Sequence, residues 1–216
     1  MRRLWNLTLV LLAVFAAGTA GSRVRADDVR TPENDNEARL NRLQPPERVL
    51  DAIGVRPGMA VAEIGAGRGR YAVQLAARVG ASGRVWAEDI DGEALEHLRR
   101  RCRRWGLGNV EIVLGGETDP MLPAGALDLI WIVSSYHHFA DPVALLRRAR
   151  PALKPGGRLA IGEWIVIHEG GRRGNSPAGI IRQVESAGYA LERQEDFLRA
   201  NNFMIYLFRR SGSDGD

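Results

Sequence analysis

The chain has 216 residues, of which 45% are hydrophobic, and a formal net charge of +4. This length suffices for one α/β domain and is too short for a second large one. The single cysteine, Cys102, excludes an internal disulfide framework and a cysteine-based metal site, and we expect no metal centre. The basic residues are almost all arginine, with Lys154 as the only lysine. We interpret this bias as a compositional habit and expect no nucleic-acid partner.

The N-terminal segment has the layout of a secretory signal peptide. Arg2 and Arg3 precede an apolar run at residues 7–20, and small residues follow. A membrane-spanning helix needs about 20 apolar residues, so this run is short for one, but an uncleaved membrane anchor is the alternative. We therefore expect residues 1–26 to direct export to the periplasm or membrane association. If this leader is not used, the expected location is cytoplasmic.

The remaining chain divides into a linker, one domain and a tail. Residues 27–36 are polar and charged without apolar periodicity, which is typical of a flexible linker. We assign residues 37–210 to a single domain and residues 211–216 to a disordered tail.

Strand and helix patterns alternate along this domain. Strands are predicted at residues 60–64, 84–89, 110–114, 127–133, 158–163, 189–195 and 203–208. Alternation with helices indicates a parallel sheet covered on both faces, and the last two strands suggest an antiparallel hairpin. The predicted fold class is therefore α/β, a doubly wound, seven-stranded and mostly parallel sheet. An amphipathic helix near the start of the domain could form a lid, with Leu40, Leu43, Gln44 and Arg48 facing the crevice.

A glycine-rich turn follows the first predicted strand. Gly65, Gly67 and Gly69 alternate with single residues, and an amphipathic helix begins after them. Backbone N–H groups in such a turn can close on a ligand because no β-carbon blocks the approach. Arg70 stands where a dinucleotide fingerprint needs its third glycine, which disfavours a nicotinamide dehydrogenase.

Two acids accompany this turn: Glu63 precedes it, and Asp89 ends the next strand. A backbone cradle combined with a carboxylate for ribose hydroxyls suits an adenosine-type ligand. Glu63-x-Gly65-x-Gly67-x-Gly69 resembles motif I of the class I S-adenosylmethionine (SAM)-dependent methyltransferases.

Three further segments, residues 84–91, 126–133 and 153–161, resemble the second, fourth and fifth strands of that family. The resemblance covers about residues 37–210 and implies a Rossmann-like fold with SAM as the cofactor. It also implies methyl transfer to an unidentified small-molecule or lipid-like acceptor. The alternative is a non-catalytic SAM-binding protein that kept the fold.

The resemblance also implies a set of cofactor-binding positions. We expect Asp89, rather than Glu88, to bind the ribose, because Glu88 is predicted to face an apolar environment. Where the family often has an acid that meets the adenine amino group, this chain has Gly116, and Glu117 or Asp119 could replace that acid. Simple loop polarity is the other interpretation of these two residues. The full predicted set is Glu63, Gly65, Ala66, Gly67, Gly69, Asp89, Ile90, Glu117, Asp119, Val133 and Ser134.

A possible acid/base cluster follows the fourth strand, at the sheet edge that lines the ligand crevice. Tyr136, His137 and His138 lie there, and histidine can accept a proton near neutral pH. The alternative is structural, with one imidazole capping the next helix and the other packing under the cofactor. The basic run at residues 99–104 could bind anionic lipid or nucleic acid, but we expect a solvated helix face.

Overall fold

The computed structural model describes residues 31–165 and 176–212. Seven strands form one sheet in the order β3-β2-β1-β4-β5-β7-β6. Strands β1 to β5 are parallel, and β7 runs antiparallel to both β5 and β6. This arrangement confirms the predicted fold class. The strands are β1 Ala60–Ile64, β2 Arg84–Asp89, β3 Val110–Leu114, β4 Leu127–Val133, β5 Leu153–Trp164, β6 Tyr189–Glu195 and β7 Phe203–Arg210.

Within the described residues, six α-helices cover the sheet. They are α1 Asp35–Leu43, α2 Pro46–Ala52, α3 Ala72–Val79, α4 Gly92–Arg104, α5 Pro142–Ala149 and α6 Pro177–Ser186. Short 3₁₀ turns occupy Tyr136–His138, Arg150–Ala152 and Arg199–Asn201. Several helices are capped by side chains that accept hydrogen bonds from backbone N–H groups of the first turn. Asp91 caps α4 in this way, and Asp141 caps α5. These caps fix where each helix begins after the carboxyl end of a strand.

The two faces of the sheet bury different helices. Ala62 and Ile64 of β1 pack with residues of α5 and α6, whereas Val61 packs with residues of α2 and α3. This alternation follows from the period of two in a strand. The connection between β3 and β4, residues 115–126, contains no helix.

The first helix begins before the domain boundary expected at residue 37. Asn34 caps α1, which begins at Asp35, and Glu33 forms an ion pair with His97. The second half of the expected linker therefore contacts the domain. At the other end, the Ser211 N–H donates to the Gly188 carbonyl, so the expected tail also begins with a contact.

The basic run on α4 is not uniformly solvated, which corrects the expectation for one of its members. The Arg101 side chain has no exposed surface, and Cys102 beside it is also buried. Arg99, Arg100, Arg103 and Arg104 are exposed and form ion pairs with Glu96 or Glu33. The hydrophobic period of α4 explains the difference, because Arg101 falls on its buried side.

Candidate functional site

The glycine-rich turn between β1 and α3 requires glycine for two reasons. Gly65, Gly67 and Gly69 have φ values of 77°, 54° and 86°, in the left-handed region that disfavours other residues. A β-carbon at Gly65 would also lie 2.5 Å from Ser135 Oγ, and one at Gly69 would overlap the Leu98 side chain. The turn therefore packs closely against α4 and against the loop after β4.

Asp89 connects the glycine turn to the end of β2. Its Oδ2 accepts a hydrogen bond from the Gly67 N–H at 2.7 Å, and its Oδ1 accepts one from the Asp91 N–H at 2.9 Å. The side chain is half-buried, and the next residue, Ile90, is 59% exposed. A carboxylate oxygen can accept more than one hydrogen bond, so Asp89 can still bind ligand hydroxyl groups.

A cavity of about 340 Å³ opens beside this turn, at the carboxyl ends of β1, β2 and β4. This volume lies near the lower end of the range for small-molecule sites. In open α/β sheets, ligands bind in the crevice outside these strand ends. The cavity is lined by Ile64, Gly65, Glu88, Asp89, Ile90, Gly116, Glu117, Ser134, Ser135, His138, Phe139, Ala140 and Leu145.

Six of the predicted site residues line this cavity: Gly65, Asp89, Ile90, Glu117, Ser134 and His138. Others do not. Val133 packs into the hydrophobic core on the face of α2 and α3, and Ala66 is buried under α3 and α4. Asp119 uses its Oδ1 to accept the Met121 N–H, within the turn after β3. Gly67 and Gly69 shape the turn without lining the cavity itself.

Glu88 is a buried acid next to the last residue of β2. It is 2% exposed, but it lines the cavity next to Asp89. Burial, followed by the negative charge of Asp89, raises the pKa of Glu88 to about 8. The carboxyl group is therefore largely protonated at neutral pH. Its alternation with Asp89 along β2 places the two acids on opposite faces of the strand.

Glu63 is buried behind the glycine turn. Its side chain is 2% exposed, and its Oε2 atom has no hydrogen-bond partner among the described residues. Burial raises the pKa of Glu63 well above its usual range, although the positive charge of Arg70 opposes this shift. A buried polar atom without a partner is costly, so an incoming donor at this position would be stabilising.

Arg70 fixes the N-terminal segment to the site. Its Nη1 donates to Gln44 Oε1 at 2.8 Å, and its Nε donates to Asn41 Oδ1 at 2.9 Å. Gln44 is fully buried and donates from Nε2 to Ser134 Oγ at 3.3 Å. Of the four residues expected to form a lid, Gln44 contacts Ser134, which lines the cavity, whereas Arg48 lies over the Phe197 ring at 4.8 Å.

The cluster after β4 divides into two parts. Tyr136 is 2% exposed, and its hydroxyl donates to Gln183 Oε1, so it belongs to the core and not to the crevice. This placement corrects its expected catalytic role, since burial also raises its pKa. His137 and His138 are exposed, and their ring centres are 3.9 Å apart.

His137 is paired with a carboxylate that sequence patterns did not reveal. Its Nδ1 lies 3.0 Å from Oε2 of Glu163, which is 1% exposed and also accepts the His137 backbone N–H. Glu163 Oε1 accepts the Trp164 N–H. Because Val133 pairs with Gly162 across β4 and β5, the register places Glu163 beside the residues that follow β4. This strand register is the feature that would have identified Glu163 as the partner of His137.

Within the described ranges, no group of three or more histidine, cysteine and acidic side chains is arranged to hold a metal ion. The same residues include no helix that is long and apolar enough to cross a membrane. The expected leader at residues 1–26 lies outside the described residues.

Comparison with known proteins agrees with this geometry. Residues 61–157 match the family model described as a methyltransferase domain. Nocamycin O-methyltransferase from Saccharothrix syringae is 34% identical over 114 residues, which are 53% of this chain and 41% of that protein. The ubiquinone/menaquinone biosynthesis C-methyltransferase UbiE of Idiomarina loihiensis is 35% identical over 116 residues, 53% of this chain and 46% of that protein.

The chain therefore contains a methyltransferase domain at residues 61–157. It spans less than half the length of these two curated relatives. A SAM-dependent methyltransferase from Aquifex aeolicus has the same fold, with a TM-score of 0.73 and 24% identity over 85% of this chain and 97% of that one. The [4+2]-cyclase SpnF also shares it, with a TM-score of 0.67, 16% identity and coverage of 84% and 87%. Because SpnF is named for a different reaction, such structural likeness shows the fold alone.

The residues at this methyltransferase site fit SAM, the cofactor of the family. Gly65 lines the cavity without a side chain, and Asp89 can accept hydrogen bonds from ribose hydroxyls. Glu63 Oε2 has no partner among the described residues, so a hydrogen bond from a ligand at this position would be stabilising. The cavity beside Ile90 is large enough for a purine base.

Proposed function

We propose that this protein transfers a methyl group from SAM to a small-molecule or lipid-like acceptor. One observation carries the proposal: the glycine turn, Asp89 and the adjoining cavity together form a site for an adenosine-type ligand. The O- and C-methyltransferases among the relatives support an acceptor of small-molecule type.

When bound, SAM supplies a methyl group that is already activated by a sulfonium. The protein therefore needs to orient donor and acceptor and to exclude water, and no covalent intermediate with the enzyme is required. In this proposal, Asp89 holds the ribose hydroxyls and the glycine turn supplies close backbone contact. Glu63 fixes the amino-acid end of the cofactor. Arg70 and Gln44 keep the N-terminal segment against the site.

The pair of His137 and Glu163 supports a role in proton removal. Glu163 can accept a hydrogen bond from Nδ1–H, which leaves Nε2 of the 37%-exposed imidazole free to take a proton. A hydroxyl or an acidic carbon must lose a proton on methylation, so a base at this sheet edge suits both acceptor types. We propose His137 as that base, with Glu163 as its positioning residue. His138, which lines the cavity, contacts the cofactor side of the site in this proposal.

Binding and turnover test the proposal separately. We expect calorimetry to show SAM and S-adenosylhomocysteine binding in the micromolar range, about −7 to −8 kcal/mol, with no binding of NAD. Transfer of a labelled methyl group from SAM to quinol, phenol and lipid extracts would then identify the acceptor class. Absence of SAM binding at millimolar concentration would refute the proposal. Binding without transfer to any acceptor would favour the non-catalytic alternative.

We also propose that residues 1–26 direct export or membrane association. The charged start, the apolar run and the following small residues of the sequence support this proposal. Fractionation of cells that express the full chain, with N-terminal sequencing of the mature protein, would test it. An unprocessed protein found wholly in the cytoplasm would contradict it.

A further inference from the structure

The turn after β3 contains no suitably placed acid at the position where relatives often contact adenine. Gly116 has no side chain, and its backbone pairs with Asp119 in both directions. The Asp119 carboxylate accepts the Met121 N–H instead of facing the cavity. Glu117 lines the cavity, but its side chain is exposed to solvent. The base of a nucleoside bound at Asp89 would therefore find no buried acid on this loop.

A buried acid reaches the same cavity from the neighbouring strand. Glu88 is the penultimate residue of β2, is 2% exposed and lines the cavity with Asp89 and Ile90. The carboxyl group occupies the space beside Gly115, where a β-carbon would overlap Oε1 and lie 2.7 Å from Cδ. Glycine at position 115 is thus what allows Glu88 to adopt this position.

The chemistry of this carboxyl group matches one edge of adenine. Because burial keeps Glu88 largely protonated near neutral pH, the group offers one O–H donor and one carbonyl acceptor. Adenine presents an amino donor next to a ring-nitrogen acceptor. A neutral carboxylic acid can satisfy both atoms at once, and a glutamine amide can do the same.

We propose that Glu88 recognises the amino edge of adenine, replacing the side chain that Gly116 lacks, with Gly115 making room for it. This inference rests on the proposed function, because it assigns the base of the same cofactor. Ribose recognition by Asp89 is independent of it, since the two carboxyl groups lie on opposite faces of β2.

The test uses S-adenosylhomocysteine and its analogue in which purine, without the amino group, replaces adenine. Calorimetry on the full chain should show that the wild type binds the analogue at least about tenfold more weakly. Glu88→Leu should bind S-adenosylhomocysteine about tenfold more weakly and should no longer distinguish the two ligands. Glu88→Gln should retain both the affinity and the discrimination within about threefold, because the amide offers the same donor and acceptor.

Glu117→Gln is the matched control, since Glu117 is the acid on the loop after β3 that lines the cavity. It should discriminate the two ligands as the wild type does. Loss of discrimination in Glu117→Gln, or its retention in Glu88→Leu, would overturn the inference.

If Glu88→Leu fails to fold, the comparison of the two ligands on the wild-type protein can still refute the inference. Equal binding of the two ligands would refute recognition of the amino edge. Failure of the wild type to bind S-adenosylhomocysteine at all would instead refute the proposed function.

Discussion

The Arg101 guanidinium, which is completely buried, forms two hydrogen bonds with the Glu37 carboxylate, at 2.6 and 3.1 Å. Glu37 lies on α1 and Arg101 on α4, so this ion pair ties the N-terminal segment to the domain. Glu33 adds a second carboxylate 3.7 Å from Arg101 and also pairs with Arg104 and His97. The segment that looked like a linker thus begins to contact the fold before α1.

Two N-terminal truncations should therefore differ sharply in stability. Deleting residues 1–26 retains every contact described above, and the free energy of unfolding should change by less than about 1 kcal/mol. Deleting residues 1–37 removes Glu33 and Glu37 and leaves Arg101 buried without its partners. Loss of one partner of a buried ion pair costs about 3–5 kcal/mol. Urea denaturation of both truncations measures the difference. Equal stability of the two would show that the ion pair contributes little.

Two substitutions in the glycine turn separate the cost of backbone strain from the cost of steric overlap. Gly69→Ala introduces a β-carbon that overlaps Leu98 at a φ of 86° and should destabilise the protein by about 2–4 kcal/mol. Gly67→Ala meets no atom within 4 Å and carries only the strain of its positive φ, about 1 kcal/mol. In thermal unfolding without ligand, Gly69→Ala should therefore have a lower melting temperature than Gly67→Ala. The reverse order would mean that Leu98 moves aside easily.

Local sequence patterns predicted the parts of the site that depend on neighbouring residues. Gly65, Gly67 and Gly69 identify a tight turn because only glycine readily takes positive φ. The apolar run before Asp89 predicts a strand, and the strand's end places the acid at the sheet edge. These features need no knowledge of packing, which explains why fold class and turn were predicted correctly.

Other parts of the site depend on contacts between distant segments. Glu163 meets His137 only because β4 and β5 pair in a particular register. Glu88 reaches the cavity because Gly115, on the next strand's loop, leaves space for it. Tyr136 could not be separated from its histidine neighbours by sequence, because the direction of each side chain in a 3₁₀ turn depends on the surrounding packing. Such pairings are properties of the tertiary structure.

The raised pKa of Glu88 predicts a pH-dependent cost to stability. Glu88 stays neutral in the folded state up to about pH 8, but in the unfolded chain it ionises near its ordinary value of about 4.3. The folded state therefore binds more protons between these values, and its stability falls as pH rises through this window. Glu88→Gln removes that loss, so its stability relative to the wild type should increase by up to about 1.4 kcal/mol per pH unit. Urea titrations of both proteins at pH 5 and pH 8 measure this difference in the free energy of unfolding. A pH-independent difference would contradict the raised pKa.

The pairing of His137 with Glu163 predicts a catalytic defect without a binding defect. With the acceptor that the transfer assay identifies, His137→Asn should lower kcat by about 100-fold, because the proposed base is lost. Glu163→Gln should lower kcat by a smaller factor, about tenfold, since the imidazole remains but is no longer oriented by a carboxylate. SAM affinity should stay within about twofold in both. His138→Asn, which alters the adjacent ring on the cofactor side, should retain more of kcat than His137→Asn does if His137 is the base. Full activity of His137→Asn would show that the acceptor loses its proton to water.

Substitutions of Asp89 and Glu88 distinguish ribose binding by Asp89 from a general effect of any carboxyl group at the cavity. Asp89→Ala removes the proposed acceptor for two ribose hydroxyls together with the hydrogen bond from the Gly67 N–H. Each charge-assisted hydrogen bond contributes about 1.5–3 kcal/mol, so SAM should bind about 100-fold more weakly or worse. Glu88→Ala should cost less, because a neutral carboxyl group makes weaker hydrogen bonds. Calorimetry with SAM compares the two variants, and circular dichroism confirms that each is folded. If Glu88→Ala weakened SAM as much as Asp89→Ala, the ribose would not be held by Asp89 alone, and the proposed division of labour at the end of β2 would fail.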